Sequence, residues 1–442
     1  MTADFEIRAD WEKLERGSPE ERACFAAIGI RYHNLWLTEA EDAYIKSVRS
    51  QIHLSGYRLA EWLAWNWWRL RWEPRTRAAD WALAHHMTTI GGGYIWPNVT
   101  IFSDGERVVL LTRPTLSRPN EPLRYIGDMP AVVLAPVFES GVDQFIEQVL
   151  GRLREEKVAA SNLAEVWSNI RAERADAGLK TRRKLEALMG FDPDEGSDDT
   201  IEALIQDAVS MGQQAMDEVA AEPLTRGSAV VTAFRLREAA QQNGFDSTPR
   251  DAVRLNAGTA LPISGQVPAW RRGAAAAQAL RKQENLGANL VKNARLAQMA
   301  AVDENALNSG PLFPIFSFAL DQSPARGRVV LRSKWETGRR FELARLIGDR
   351  AVGGADGQLL PATHSLTYRQ KFQRAFAAEF LCPFDALEHS LQDDYSAEAI
   401  QDAAEEFKVS PLTVRTALVN HGRLAREDLE EDIDAVPLRL LA

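Results

Sequence analysis

The stretch from Arg339 to Arg350 constrains the fold of this chain most, because its charged residues are spaced for one face of a helix. Glu342, Arg345 and Asp349 are separated by three and four positions, which brings their side chains together on a helix surface. A second helical stretch, Tyr368 to Leu381, follows shortly afterwards.

Both helices carry a resemblance to a known family. The first resembles the pattern R-R-F-x-L-A-H-E-x-G-H, and the second, beginning at Gln370, resembles E-x-x-A-N-x-F-A-A-E-L-L-x-P. The matching residues of the first helix are Arg339, Arg340, Phe341, Leu343, Ala344 and Gly348. From about Pro268 to Leu424, roughly a third of the chain, the sequence therefore resembles the ImmA/IrrE family of zincin-like metallopeptidases, found in phage, mobile-element and stress-response regulators.

The residues that this family uses for zinc chemistry are missing here. On the family pattern, Arg345 and Asp349 replace the histidine pair, Leu346 replaces the catalytic glutamate, and Gln370 holds the position of the third ligand. Catalytic zinc needs three such ligands, an open water position and a base. A guanidinium is a cation without a lone pair to donate. We therefore predict no metal, no cofactor and no catalytic residue at these degenerate metal-site positions.

Two interpretations of the substituted residues stay open. They can form an ion network of Glu342, Arg345, Asp349 and Glu379, in which Arg345 bonds to Gln370 or Glu379 where a metal would otherwise join the two helices. Alternatively, they form a charged stripe that faces water.

Composition limits the class of protein. A chain of 442 residues with 45% hydrophobic residues is long enough for several packed domains. Its net charge of -10 disfavours a protein that coats nucleic acid or an anionic membrane. Two distant cysteines, Cys24 and Cys382, suggest a reducing compartment. No basic start with an apolar run follows Met1, and no apolar stretch is long enough to span a bilayer, so we expect a cytoplasmic protein.

Changes in composition divide the chain into regions. We predict an α+β fold that is predominantly helical, with several domains and a zincin-like domain near the C-terminus. The predicted regions are a Trp-rich α+β domain over 1–150, a helical connector over 151–260, the zincin-like domain over 268–425 and an acidic tail over 426–442.

Turn signals and apolar runs predict several local elements. Asn98 to Phe102 and Arg107 to Thr112 flank an Asp-Gly turn and predict a hairpin. Ala131 to Pro136 predicts a buried strand. In the last region, short strands at Ile315 to Leu320 and Arg328 to Leu331 predict a second hairpin with a seven-residue connection.

A tryptophan cluster is the main feature of the first region. Trp62, Trp65, Trp67, Trp68 and Trp72 are predicted to lie in one helix that begins after Gly56. The spacing of Trp65, Trp68 and Trp72 is that of a stripe facing a core. The other interpretation is an exposed aromatic surface that binds a partner protein.

The end of the last region has the spacing of two short helices joined by a turn. The helices are predicted at Ala399 to Phe407 and at Leu412 to Asn420, as in a helix-turn-helix. A DNA-reading second helix would present polar groups to base edges. The candidates are Thr413, Arg415, Thr416, Asn420 and His421. Acidic residues in the first helix and in the tail disfavour that role.

Three hypotheses for function follow. The favoured one is a catalytically inactive, ImmA/IrrE-like regulator that acts by binding another protein, in phage or mobile-element regulation, stress response or defence. The second is an active peptidase or hydrolase with a rearranged metal site that uses Asp349, Glu379 and His364. The third is a DNA-binding regulator that uses the terminal helix pair.

Overall fold

The computed structural model describes residues 5–76, 78, 80–116, 122–158, 161–222, 231–308, 310, 316–353 and 356–425. About 50% of the chain is helical and 17% is in strands. The described strands form four small antiparallel sheets. The expected α+β class with a majority of helix is therefore confirmed. The predicted acidic tail, 426–442, lies outside the described residues.

The chain divides into two compact units, Met1–Ser197 and Asp198–Ala442. The division falls inside the region that the sequence assigned to a helical connector. Helices up to Met189 thus belong to the first unit, and helices from Asp198 onward belong to the second. None of the described helices is both long enough and apolar enough to cross a membrane.

The first unit combines three small sheets with helices. Its described strands are β1 Phe5–Trp11, β2 Phe25–Tyr32, β3 Leu35–Trp36, β4 Ala40–Asp42, β5 Ser47–Arg49, β6 Ile52–Ser55, β7 Val99–Ser103, β8 Arg107–Thr112, β9 Leu123–Tyr125 and β10 Ala131–Leu134. Its described helices are α1 Pro19–Ala23, α2 Gly56–Trp65, α3 Trp67–Trp72, α4 Trp81–His85, α5 Ala135–Glu155, α6 Asn162–Ala175 and α7 Ala177–Met189, with a 3₁₀ turn at Met87–Thr89.

Antiparallel pairing organises each sheet of the first unit. Strand β2 pairs with β1 along one edge and with β3 and β6 along the other, while β10-β8-β7 and β5-β4-β9 form separate sheets. The hairpin predicted around the Asp-Gly turn is confirmed as β7 and β8. The strand predicted from Ala131 ends at Leu134 instead of Pro136, because Ala135 and Pro136 open α5 and proline is favoured in the first turn of a helix.

The tryptophan cluster occupies two helices, and the prediction of one helix is wrong. The helix breaks at Asn66, whose side chain donates a hydrogen bond to the Trp62 carbonyl, so α2 ends at Trp65 and α3 starts at Trp67. Trp62 in α2 is buried, as are Trp67 and Trp68 in α3.

The second unit has one four-stranded sheet and ten described helices. Its strands are β11 Phe245–Ser247, β12 Ser317–Ser323, β13 Arg326–Val330 and β14 Leu359–Ala362. Its helices are α8 Asp198–Met211, α9 Gln213–Ala220, α10 Ala233–Asn243, α11 Ala269–Gln283, α12 Asn293–Ala300, α13 Glu336–Ala351, α14 Tyr368–Leu381, α15 Phe384–Leu391, α16 Ala397–Phe407 and α17 Pro411–Asn420, with 3₁₀ turns at Pro249–Asp251 and Glu304–Leu307.

Helices α13 and α14 pack against each other in the core of the second unit. Gly348 allows this close approach, since a Cβ atom there would lie 2.4 Å from Cδ1 of Phe376. The sheet order is β11-β13-β12-β14 with antiparallel neighbours throughout. Strand β14 is therefore an edge of the described sheet.

The second predicted hairpin exists with a different turn. Strands β12 and β13 run on to Ser323 and from Arg326, so two residues connect them and the predicted seven-residue connection is wrong. The polar residues of that connection continue the ladder because backbone groups, not side chains, make its hydrogen bonds. The predicted start of its first strand, Ile315, lies outside the described residues.

Candidate functional site

Arg345 is the centre of the site that the two helices form. It lies on α13 and is 6% exposed. Its Nη2 atom donates hydrogen bonds to Gln370 Oε1 at 2.5 Å, to the Thr363 carbonyl at 2.7 Å and to Gln373 Oε1 at 3.4 Å. The two glutamines each donate in turn to the Pro361 carbonyl of β14. The guanidinium thus links α13 to α14 and to the residue that follows β14, and the two glutamines extend the contacts to the strand itself.

The acceptors around Arg345 are neutral amides and carbonyls, so its charge has no direct counter-ion in these bonds. Burial lowers the pKa of the Arg345 guanidinium to about 9, and the nearby cation of Arg374 acts in the same direction. Its Nε atom is buried without a hydrogen-bond partner. Burial also lowers the pKa of Arg374 to about 10, and its Nη2 atom donates to the Ser365 carbonyl at 2.9 Å. The site therefore holds one buried and one half-buried cation at an electrostatic cost.

Asp349, one helical turn beyond Arg345, pairs with a different residue. Arg369 of α14 donates to both of its carboxylate oxygens, from Nε at 3.0 Å and from Nη2 at 2.6 Å. This two-point contact fits the fork of a guanidinium to a carboxylate. Burial alone would lower the pKa of Arg369, but the charge of Asp349 and its hydrogen bonds outweigh burial and raise that pKa. The carboxylate of Asp349 is thus engaged by its own cation.

The other two members of the predicted ion network also bond elsewhere. Glu342 accepts hydrogen bonds from the backbone N–H of Ser333 at 2.9 and 3.1 Å. Glu379 accepts from Gln278 and from the backbone N–H of Phe384, and burial raises its pKa. No ion pair among the described residues joins Glu342, Arg345, Asp349 and Glu379 into one network. Separate hydrogen bonds take its place, including the predicted bond from Arg345 to Gln370.

Leu346, which the resemblance aligns with the catalytic glutamate of the family, has an apolar side chain. It is 3% exposed and packs in the hydrophobic core of the second unit. A leucine has no group that accepts a proton from water. Among the described residues, no cluster of three or more His, Cys, Asp or Glu side chains is arranged to hold a metal ion.

Glu218 and Glu222 complete the polar surroundings, and sequence reasoning missed both. Glu218 of α9 accepts hydrogen bonds from Thr367 Oγ1 at 2.7 Å and Ser365 Oγ at 3.1 Å. Glu222 accepts from the backbone N–H of His364 at 2.7 Å, and its Oε2 lies 3.2 Å from His364 Nδ1. Their spacing of four residues would give a shared face only within a helix, and Glu222 lies two residues beyond the end of α9. Nothing in the sequence indicated which distant loop the two carboxylates would meet.

The residues of the alternative hypotheses are dispersed. His364, Asp349 and Glu379, suggested as ligands of a rearranged metal site, contact three different partners: Glu222, Arg369 and Gln278. The terminal helix pair is confirmed as α16 and α17. In α17, however, the Thr416 hydroxyl donates to the Leu412 carbonyl, and the His421 ring stacks on Phe384 with centroids 3.5 Å apart.

The tryptophan cluster is mostly a core feature. Trp67 packs edge-to-face against Trp167, and Trp68 Nε1 donates to Glu173 at 2.9 Å. Trp65 is the exception, with 56% of its surface exposed. Of the five tryptophans in the predicted partner surface, Trp65 alone is mainly exposed. Trp72 is half-buried, with the cations of Arg71 and Lys184 over its ring.

Comparison of the chain with protein-family models, with curated proteins and with solved structures gives no significant match. The resemblance to the ImmA/IrrE family therefore rests on the residues of α13 and α14 alone. It stays a prediction, as does the zincin-like character of the second unit.

Proposed function

We propose that the protein is a catalytically inactive, zincin-like regulator of the ImmA/IrrE type that acts by binding another protein. One observation carries this proposal. The Arg345 guanidinium stands at the first metal-ligand position and donates a 2.5 Å hydrogen bond to Gln370, at the third. The contact that a metal ion would make between the two helices is made by the protein itself.

Electrostatics support the same proposal. A metal cation at this position would be repelled by the like charges of Arg345 and of Arg374 nearby, and neither guanidinium has a lone pair to offer it. Asp349 keeps a carboxylate, but Arg369 binds both of its oxygens. With Leu346 in place of the base, water at this site would lack both an activating metal and a proton acceptor.

A binding role follows from what the site keeps. Its helices, its close packing at Gly348 and its polar contacts form a stable scaffold without chemistry, which suits a protein that holds a partner. The extension to phage or mobile-element regulation, stress response or defence rests on family analogy. Trp65, as an exposed aromatic residue, is a candidate contact for the partner.

The test is the metal content of untagged, purified protein, measured by mass spectrometry together with hydrolysis of fluorescein-labelled casein. We expect wild-type protein without bound zinc and without hydrolysis. A double variant, Arg345→His with Asp349→His, restores two imidazoles and should still not hydrolyse casein, because Leu346 remains. Arg345→Met with Asp349→Asn removes the same contacts without adding ligands and serves as the matched control. Near-stoichiometric zinc in the wild type, with hydrolysis that a chelator abolishes, would contradict the proposal.

A further inference from the structure

His85 is a histidine of the first unit whose ring is fully buried and contacts an acceptor at both nitrogens. Its Nδ1 atom lies 2.6 Å from the carbonyl oxygen of Ile101 in β7, and its Nε2 atom lies 2.9 Å from Oε2 of Glu73. A carbonyl oxygen only accepts hydrogen bonds, and so does a carboxylate. Each ring nitrogen must therefore supply an N–H, which only the doubly protonated imidazolium does at both positions.

The carboxyl group of Glu73 does not supply the proton in place of His85. Its Oε2 atom also accepts a hydrogen bond from Arg69 Nε at 2.7 Å. A guanidinium is a permanent cation, and its hydrogen bond favours the ionised form of the carboxyl group that accepts it. The hydrogen bonds are thus all satisfied when Glu73 is a carboxylate and His85 is an imidazolium.

The acidic groups next to Arg69 favour a second positive charge. Besides Glu73, Arg69 faces Asp192 at 3.6 Å and Asp80 at 3.8 Å. Burial raises the pKa of Asp192, although the charge of Arg69 opposes that shift. The charge of Arg69 is thus shared among three carboxyl groups, and nearby anions favour the cationic form of a histidine.

Trp81 and three basic residues complete the surroundings of His85. The indole ring of Trp81 stacks on the imidazole ring, with centroids 4.2 Å apart, and an aromatic face attracts a cation. The basic residues are His86, Arg75 and Arg113. Burial lowers the pKa of His86, and the charges of His85, Arg75 and Arg113 act in the same direction. The two adjacent histidines are therefore not equivalent, and His86 is the one that stays neutral.

His85 also fastens a helix that is too short to be stable alone. It is the last residue of α4, which has five residues and no side-chain cap at its first turn, and isolated helices of that length do not persist in water. The helix packs against α3 and β7. His85 joins it by hydrogen bonds to Glu73, the residue after α3, and to Ile101 in β7.

We propose that His85 is held as an imidazolium and that loss of one of its protons to water at alkaline pH releases α4 from the first unit. A neutral imidazole has one N–H and one lone pair. The nitrogen that has lost its proton then points a lone pair at an oxygen of Ile101 or Glu73, and a buried acceptor without a donor is unfavourable. The attachment of α4 is thus present at neutral pH and is lost as the pH rises. The outcome is independent of the proposed function, which concerns the second unit.

The first measurement determines which ring nitrogens of His85 carry a proton. Full-length protein labelled with nitrogen-15 at histidine is studied by NMR at about pH 7.5, above the ordinary pKa of an imidazole. The signal of His85, identified by its loss in His85→Gln, should show a proton on both nitrogens. One unprotonated nitrogen at His85 would overturn the inference.

The second measurement follows the release of α4. Hydrogen exchange of residues 81–89 is measured by mass spectrometry and corrected for the intrinsic effect of pH. From about pH 7 to about pH 9, protection in the wild type should fall on the order of tenfold, because a buried hydrogen bond to a charged group is lost. Glu73→Gln should show no such fall. Its amide oxygen accepts from Arg69 and its amide nitrogen donates to a neutral His85.

His53→Gln is the matched control. His53 Nε2 also lies 2.9 Å from a glutamate oxygen, that of Glu12, but both side chains are exposed. This variant should keep the fall in protection of residues 81–89. An equal fall in the wild type and in Glu73→Gln, or no fall in the wild type, would contradict the proposed release. If a variant does not fold, the wild type decides through its ring nitrogens or its exchange.

Discussion

Each unit of the molecule buries a group of charged residues, and the two groups are built differently. In the first unit, Glu73 accepts a hydrogen bond from Arg69 Nε at 2.7 Å, and one of its carboxylate oxygens lies 2.9 Å from His85 Nε2. His85 Nδ1 donates to the Ile101 carbonyl at 2.6 Å, and its ring stacks on Trp81. In the second unit, Arg345 has only neutral acceptors in its hydrogen bonds.

The difference appears in the direction of the pKa shifts. Burial alone would raise the pKa of Glu73, but the hydrogen bonds and charges of His85 and Arg69 outweigh it and lower that pKa to about 2. For Arg345, burial dominates and lowers the pKa of the cation. The first group is therefore stabilised in its charged form, whereas the second holds a charge that its surroundings disfavour. We therefore expect the residues around Glu73 to stabilise the first unit, and we expect the second unit to hold the Arg345 charge at a cost in stability.

The largest effect should come from removing the central anion of the first group. Glu73→Ala leaves Arg69 and His85 buried without their acceptor, and we expect a loss on the order of 3–5 kcal/mol in the free energy of unfolding. Urea unfolding followed by tryptophan fluorescence measures it, because ten of the twelve tryptophans lie in the first unit. Glu41→Ala, which removes an exposed pair with Arg124, is the control and should cost less than about 1 kcal/mol. Similar losses in the two variants would show that the buried Glu73 contributes no more to stability than an exposed glutamate.

Acid should weaken the first unit through the same residue. Because the pKa of Glu73 is lower in the folded protein, its contribution is present above the unfolded pKa of about 4.5 and is lost as the pH falls toward about 2. A shift of this size corresponds to about 3 kcal/mol. Urea unfolding between pH 6 and pH 3 should therefore show a steeper loss in the wild type than in Glu73→Gln. Parallel curves for the two proteins would mean that other carboxylates control the acid response.

A smaller effect is expected at the centre of the second group. Arg345→Met removes a disfavoured buried charge but leaves Gln370, Gln373 and the Thr363 carbonyl short of a donor, so we expect a loss of about 1–3 kcal/mol. Adding Gln370→Leu should cost little more, since the pair acts together. Urea unfolding of both single variants and the double variant gives the coupling energy. Additive losses would show that the bond between the two helices contributes little.

Local patterns were predictable where neighbouring residues determine them. The helix from Tyr368 to Leu381 has the predicted bounds, and the predicted Arg339 to Arg350 helix is longer in the structure, from Glu336 to Ala351. Helical spacing and the Thr367 cap suffice for such elements. The bond from Arg345 to Gln370 was among the predicted alternatives because both positions lie on those two helices.

Contacts between distant segments were not predictable. Glu218 meets Ser365 and Thr367 across about 150 positions of sequence, and nothing local indicates that meeting. The ion network around Arg345 was wrong for the same reason, since Arg369 and Ser333 compete for its carboxylates. The Asn66 break was missed because asparagine is only mildly unfavourable inside a helix.

The smallest effect is expected at Trp65. Because 56% of its surface is exposed, Trp65→Ser should change the free energy of unfolding by no more than about 0.5 kcal/mol. Trp67→Ala, at a ring that is 2% exposed in the same cluster, is the matched comparison and should cost about 3–5 kcal/mol. Urea unfolding of the two variants separates a core tryptophan from a surface one. A loss at Trp65 as large as that expected at Trp67 would assign the Trp65 ring to the core and remove it as a candidate partner contact. A negligible loss would show that the exposed Trp65 ring does not contribute to stability, as we expect of a residue that contacts a partner.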